Sequence, residues 1–136
     1  MDREPLHVEV VSADRVIWSG SAVNIIARTV EGDLGILPGH EPLLAVLEPS
    51  MVEIVTAEGT SESLMVDGGF ISVAHGHVSV LAQYAELGKE VSLEEARMEL
   101  APLVQKAQQG QADDAEIHRL KMLQAQVRAG EKANGN

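Results

Sequence analysis

Cysteine is absent from the 136 residues, so the chain can form neither a disulfide nor a thiolate metal centre, which suits a reducing compartment. Aromatic residues are nearly absent as well: Trp18, Phe70 and Tyr84 make up 2% of the chain. They offer no stacking platform for a single-stranded nucleic acid. Cations are few, 10 against 21 carboxylates, and the net charge of −11 repels phosphate backbones and anionic lipid surfaces. Nucleic acid is therefore excluded as a partner on two counts. No apolar run approaches the roughly 20 residues of a membrane-spanning helix. The opening Met-Asp-Arg-Glu-Pro lacks the character of a signal peptide. Membrane association is expected only through other proteins.

What the chain does have is aliphatic. Hydrophobic residues make up 45%, so a core of Val, Ile, Leu, Ala and Met is available. The length suits one domain, or one small domain with an appendage. Acid is unevenly spread: residues 1–89 hold 13 acidic and 4 basic side chains, and residues 90–136 hold 8 and 6. A partner of the first part should be neutral or basic.

The densest run of turn-forming residues is 31–47, Glu-Gly-Asp-Leu-Gly-Ile-Leu-Pro-Gly-His-Glu-Pro-Leu-Leu-Ala-Val-Leu. Gly32, Gly35, Pro38, Gly39 and Pro42 exclude a helix. Leu34, Ile36 and Leu37 predict a short buried extended piece. Pro38-Gly39 predicts a type II turn that holds His40 and Glu41 in solvent, and residues 43–47 re-enter the core. A rigid turn bearing polar residues suits a contact surface.

Before this stretch, alternation predicts strands over residues 5–12, 16–18 (ending at Gly20) and 22–29. After it, strands are expected over 51–57, 63–66, 70–74 and 78–83. Turns are expected at Glu58-Gly59-Thr60, Asp67-Gly68-Gly69 and His75-Gly76-His77. Many short strands, with no helix-length pattern among them, predict an antiparallel β-sandwich or barrel over residues 1–88.

From Gly88 the pattern becomes helical, giving a C-terminal two-helix antiparallel hairpin over 89–136. Ser92 and Glu95 form a capping box, followed by a stripe of Leu93, Ala96, Leu100, Leu103 or Val104, and Ala107. Pro102 predicts a kink or an early break, and Gly110 an end. Asp113 and Glu116 form a second box, with Ile117, Leu120, Leu123 or Gln124, and Val127 as its stripe. Residues 130–136 are expected to fray. Both stripes are narrow, so docking on the sandwich and docking on a partner compete.

Two constellations invite chemistry. His75 and His77, with Glu86 downstream, have the look of a metal site on a β-barrel. Gly76 marks a hairpin turn between them, and the glycine spacing of a cupin-like site is missing, so exposed histidines are the preferred reading. His40, Glu41 and Asp33 lack a nucleophile or a phosphate loop, and Gly32-Asp33-Leu34-Gly35 is too short for a dinucleotide fingerprint. No catalytic residue and no cofactor is expected.

The run Gly-Asp-Leu-Gly-Ile-Leu-Pro-Gly-His-Glu-Pro-Leu-Leu resembles the signature of the epsilon subunit of F-type ATP synthases, bacterial type. So, in the same order, do Val10-Val11-Ser12-Ala13-Asp14-Arg15 with Trp18-Ser19-Gly20, and Val66-Asp67-Gly68-Gly69-Phe70-Ile71-Ser72-Val73. The tail beyond about residue 88 resembles the family in organisation more than in residues. The resemblance implies a flattened β-sandwich in a non-catalytic rotor subunit of the central stalk. It implies the gamma subunit and the membrane ring of c subunits as partners, and transient contact with the alpha/beta head through the hairpin. It implies a peripheral location on the cytoplasmic face of a bacterial membrane. Asp33, Gly39, His40 and Glu41 take the positions that meet the ring. Arg119, Lys121 and Arg128, with Lys132, give the second helix a basic character like that of an inhibitory helix; Asp114 and Glu116 offset it in part. Some members bind ATP through Ile or Leu, Asp, two variable residues, Arg and Ala. Here the run is Val91-Ser92-Leu93-Glu94-Glu95-Ala96, without the Asp or the Arg. A shift of two residues recovers Arg97 and spoils both ends. Without the guanidinium, ATP binding is not expected. The alternative of a different class is a free-standing β-barrel binding a metal or small ligand through His75, His77 and Glu86.

Overall fold

Leu6, Val8 and Val10 are buried while His7 and Glu9 are exposed, so the first strand does alternate as its sequence requires. The computed structural model describes residues 4–135. Its strands are β1 (Leu6–Ser12), β2 (Arg15–Thr29), β3 (Gly32–Ile36), β4 (Leu43–Thr56), β5 (Ser61–Ala74), β6 (His77–Leu81) and β7 (Ala85–Leu87). A 3-10 turn, Gly88–Glu90, leads to α1 (Leu93–Gln108) and α2 (Asp114–Ala133). The strands form one sheet in the order β1-β6-β5-β4-β2-β3, and β1 also pairs with β2, which closes it. β7 pairs with the first half of β5. The core between the two halves is aliphatic, with Leu6, Ile25, Ile36, Ile54, Leu64 and Ile71 fully buried.

Three sequence breaks fall inside continuous strands. Residues 16–18 and 22–29 are one strand, β2, because Gly20 is not a stop. A Cβ there would come 2.8 Å from the Trp18 ring, so the glycine makes room for the indole. The register against β4 slips between Ala22 and Asn24. That bulge turns Val23 outward, although Ile25 and Ala27, two and four residues further on, are buried. Likewise 43–47 and 51–57 are one strand, β4. Pro49 falls where the pairing of β4 with β2 is interrupted, a place where a missing N–H is tolerated. Asp67-Gly68-Gly69 is not a turn but a bend within β5. Gly68 and Gly69 have φ of +115° and +108°, and β5 exchanges β7 for β6 as its neighbour there. A Cβ on Gly69 would fall on the Leu81 carbonyl.

Two pairings lie outside the sequence expectation. β7 is an extra strand, and β1 runs parallel to β6 in an otherwise antiparallel sheet. The paired ends set the geometry of one pole. Leu43 pairs with Val73, Ala74 with His77, His77 with His7, and Ala22 with both Leu6 and Thr56. Residues 37–42, the turn 57–60, the turn at His75-Gly76 and the start of β1 therefore gather at the same end. The His7 amide donates to the Gly76 carbonyl (2.8 Å), and the Ala57 amide to the Ser21 carbonyl (3.0 Å).

The hairpin is docked. α2 lies on β4, β5 and the 3-10 turn, and α1 packs on α2. Pro102 does not break α1, which stays continuous; the residues around it, Met98 and Ala101, are exposed, so the orphaned carbonyl faces water. The Ser92 Oγ accepts from the Glu95 amide, half of the expected box, whereas Asp113 and Glu116 make both halves. Gly110 ends α1 with a φ of +70°, as Gln111 and Gly110 donate back to Lys106 and Ala107. Gly130 does not end α2, which runs on to Ala133; Asn136 lies outside the described residues. The buried face of α2 is Leu123, Ala125, Ala129 and Gly130, and Ile117 is exposed. Small residues let the helix lie close to the sheet, where Met51, Met65 and Met122 fill the gap.

Candidate functional site

The turn between β3 and β4 is built as its residues demand. Gly39 has a φ of +88°, and the His40 amide donates to the Leu37 carbonyl at 3.0 Å, which is type II geometry. The His40 Nδ1–H donates to the Glu41 carbonyl at 2.7 Å and fixes the ring close to its own backbone. Gly39 and Glu41 are exposed. Leu37 is 60% exposed rather than buried, since strand alternation carries Ile36 inward and Leu37 out. Asp33 is not part of this turn. It stands three residues before the end of β3, about 10 Å along the strand, and pairs with Arg28 of β2 at 3.4 Å in solvent. Gly39, His40 and Glu41 thus share one turn, and Asp33 flanks it on the edge strand.

Beside the turn lies an apolar surface that the sequence reading missed. Val46 pairs with Phe70, and Phe70 with Leu81, across β4, β5 and β6. With Leu44, which is 73% exposed, they face solvent. Leu44, Phe70 and Leu81 line a shallow cleft of about 290 Å³. The signal was present: Leu-Leu-Ala-Val-Leu over 43–47 is apolar at every position, so one side must face out. A clustered, exposed apolar surface of this kind marks a contact face.

On the hairpin, Arg119 is held by both oxygens of Glu99, with Nη2 to Oε1 at 2.8 Å. Hydrogen bonding to Arg119 holds the Glu99 carboxyl below its ordinary range, and the same contact raises Arg119. Lys106 and Glu116 clasp the helices near the loop, lowering Glu116 and raising Lys106, and Arg97 meets Glu131 at 2.6 Å at the far end. Lys121 and Arg128 instead line an open groove with Arg28, Glu31, Glu48 and Ser50, between α2 and the sheet. Lys132 reaches Glu53 at 3.8 Å.

A second cleft opens where α1, α2 and β7 meet, lined by Tyr84, Glu86, Ser92, Glu95, Glu99 and Arg119. Burial, then the Glu86 charge, raises the Tyr84 hydroxyl. Its one guanidinium is already taken by Glu99, and Arg97, the residue of the shifted motif, is taken by Glu131. Carboxylates dominate the cleft, which disfavours a phosphate.

The proposed metal group is not assembled. His75 holds a turn position with φ of +52°, His77 stacks on His7 with ring centroids 5.3 Å apart, and Glu86 accepts from Gln126 at 2.9 Å on another strand. Among the described residues, no group of three or more His, Cys, Asp or Glu side chains is placed to hold a metal ion. No described helix is long and apolar enough to cross a membrane.

Residues 5–88 match the family described as ATP synthase, Delta/Epsilon chain, beta-sandwich domain. The chain is 44% identical to the ATP synthase epsilon chain of Cutibacterium acnes, over 98% of its own length and 97% of that protein's. It is 43% identical to the epsilon chain of Nocardia farcinica, over 93% and 91% of the two lengths. Its fold is similar to a chain of the Euglena gracilis mitochondrial ATP synthase, with a TM-score of 0.78 at 23% identity, covering 98% of this chain and 84% of that one. A chain of the Tetrahymena thermophila enzyme's central stalk and c-ring gives 0.57 at 20%, covering 98% of each. A sandwich closed by β1 and β2, a Pro-Gly turn beside an apolar face, and a docked helical hairpin therefore coincide with sequence identity across nearly the whole chain, and the chain belongs to the epsilon-chain family of the F-type ATP synthases.

Proposed function

We propose that residues 1–88 are a non-catalytic rotor element that seats the gamma stalk on the membrane ring, and that residues 89–136 are a hairpin that modulates ATP hydrolysis. The observation that carries this is the pairing of two unlike surfaces at one edge of the sandwich. The apolar surface of Leu44, Val46, Phe70 and Leu81 suits a permanent protein partner, gamma. The rigid polar turn of Gly39, His40 and Glu41, flanked by Asp33, suits the polar loops of the ring. Torque passes through a closed sheet better than through loops, because its interior is close-packed and deforms little. The complex then lies on the cytoplasmic face of a bacterial membrane, held there by its partners.

The basic side chains of α2 are unequal as an inhibitory surface. Arg119 is engaged by Glu99 in the docked hairpin, whereas Lys121 and Arg128 line the solvent groove. Contact of all three with an acidic segment of the alpha/beta head therefore requires Arg119 to leave Glu99. No nucleotide is assigned to the acidic cleft beside Tyr84.

Phe70→Glu tests the seat. Phe70 is 50% exposed, so the variant should fold with little change in Tm. It should fail to copurify with gamma. A folded variant that retains gamma at wild-type yield contradicts the placement of the seat.

A further inference from the structure

Among the described residues, histidine is the only side chain able to carry positive charge at the pole of the sandwich that bears the Pro38-Gly39 turn. The segments gathered there are 4–9, 37–42, 57–62 and 74–79. They contain His7, His40, His75 and His77, four of the chain's five histidines, and no lysine or arginine. They also contain the carboxylates Glu4, Glu9, Glu41, Glu58 and Glu62. The segments meet through backbone bonds and strand pairs, not through sequence proximity: His7 lies opposite His77 on the parallel strands, with the rings stacked at 5.3 Å, and its amide is bonded to Gly76 beside His75.

We infer that this pole is a proton-sensitive contact surface whose affinity for a basic partner falls as the pH drops. The inference rests on the proposal that the turn meets the ring. Imidazole is the side chain whose unperturbed titration lies between pH 5 and 8. With the imidazoles neutral, the described residues of the pole present five carboxylates and no cation; with all four imidazoles protonated, four of those five charges are offset. The polar groups lining the cleft with the stacked pair are Glu9 on β1 and the uncharged Ser19, Ser21 and Ser79 on β2 and β6; His75 stands in the turn that precedes His77. Among the described residues lining this cleft there is no lysine or arginine, so the sign of the effect there follows from the histidines. Facing a surface rich in lysine or arginine, the acidic pole attracts at neutral pH and loses most of that attraction on acidification. Such a contact makes coupling between stalk and ring respond to proton concentration on the side of the membrane where the chain sits.

The test uses the tagged full chain and membranes stripped of this subunit, with the rest of the complex in place. Binding is measured at about pH 7.5 and about pH 5.5 for the wild type and for a quadruple variant, His7→Gln, His40→Gln, His75→Asn, His77→Gln. Asparagine is chosen at position 75 because it tolerates the positive φ. The expected result is a wild-type affinity that weakens by about fivefold or more on acidification, and a variant that changes by about twofold or less. Equal weakening of both proteins places the titration elsewhere and overturns the inference, as does a wild type that does not respond. If neither protein binds the stripped membranes at about pH 7.5, while both are folded by circular dichroism, the seating proposal itself fails and the inference with it.

Discussion

The Ser63 hydroxyl donates a buried hydrogen bond to the carbonyl of Ala129, 66 positions further along the chain, at 2.9 Å. It joins the floor of the sandwich to the last turns of α2 and is the most deeply placed polar link between the two parts. Loss of such a bond costs about 1 kcal/mol, or about a fivefold rise in the open population. Ser63→Ala should therefore speed hydrogen exchange in α2 by about that factor, and leave exchange in β1 and β6 unchanged. Uniform acceleration throughout the chain would mean that the bond supports the whole fold and not the docking of the hairpin.

Two glycines at the same contact should respond unequally. A Cβ on Gly88 would fall on the backbone carbonyl of Ala129, which cannot yield without moving the helix. Gly88→Ala is predicted to cost about 2 kcal/mol or more of docking. At Gly130 a Cβ would come 2.8 Å from the end of the Leu93 side chain, which can turn aside. Gly130 is also inside a helix, where alanine gains about 1 kcal/mol. Gly130→Ala should stay within about 1 kcal/mol of the wild type. Thermal unfolding of both variants checks the pair, and the reverse ranking would contradict the packing described here.

These glycines also show what could be read from the sequence. Pro38-Gly39, His75-Gly76 and the Asp113–Glu116 box each fix a local geometry, and each was legible because the cause is local. Gly20, Pro49, Gly68-Gly69 and Gly130 carry the same residue signals and mean something else. They accommodate an indole, an interrupted ladder, a change of neighbour and the side chain of Leu93. Those causes lie on other strands or helices, so a turn was read where the chain runs on. The parallel pairing of β1 with β6 is invisible for the same reason. The polar part of the site was legible as a turn. The apolar part was not, because the run 43–47 looks the same whether its second face meets a core or a partner.

The helix clasp sets a pH limit. In the folded hairpin Glu99 and Glu116 are held below their ordinary range, chiefly by hydrogen bonds from Arg119 and Lys106. A carboxylate lowered by folding contributes stability that is fully present above its ordinary value and is lost as the pH falls through the lowered one. The hairpin should therefore loosen below about pH 4.5, not between pH 6 and 8. Circular dichroism at about pH 6 and about pH 3 should show loss of helix in the wild type and a flatter response in Arg119→Gln. The Arg119–Glu99 pair is exposed and the Lys106–Glu116 pair only partly buried, so about 1 M salt should weaken the effect. A wild type that holds its helix at low pH would show that the ion pairs are incidental.

Reversing one charge on the edge strand probes the coupling. Asp33 is exposed and, among the described residues, paired only with Arg28, so Asp33→Arg should leave Tm nearly unchanged. It should reduce ATP-driven proton pumping while ATP turnover persists. Pumping at the wild-type rate would remove Asp33 from the ring contact. In the same assay, deletion of residues 90–136 should raise ATP hydrolysis, and an unchanged rate would leave the hairpin without an inhibitory role.

The most direct measurement is purification of the tagged full-length chain from its own gently solubilised membranes, with the partners identified by mass. Recovery of gamma together with alpha, beta and ring subunits is the predicted result. Recovery of the chain alone, at high yield and folded, would contradict its role as the seat of the stalk.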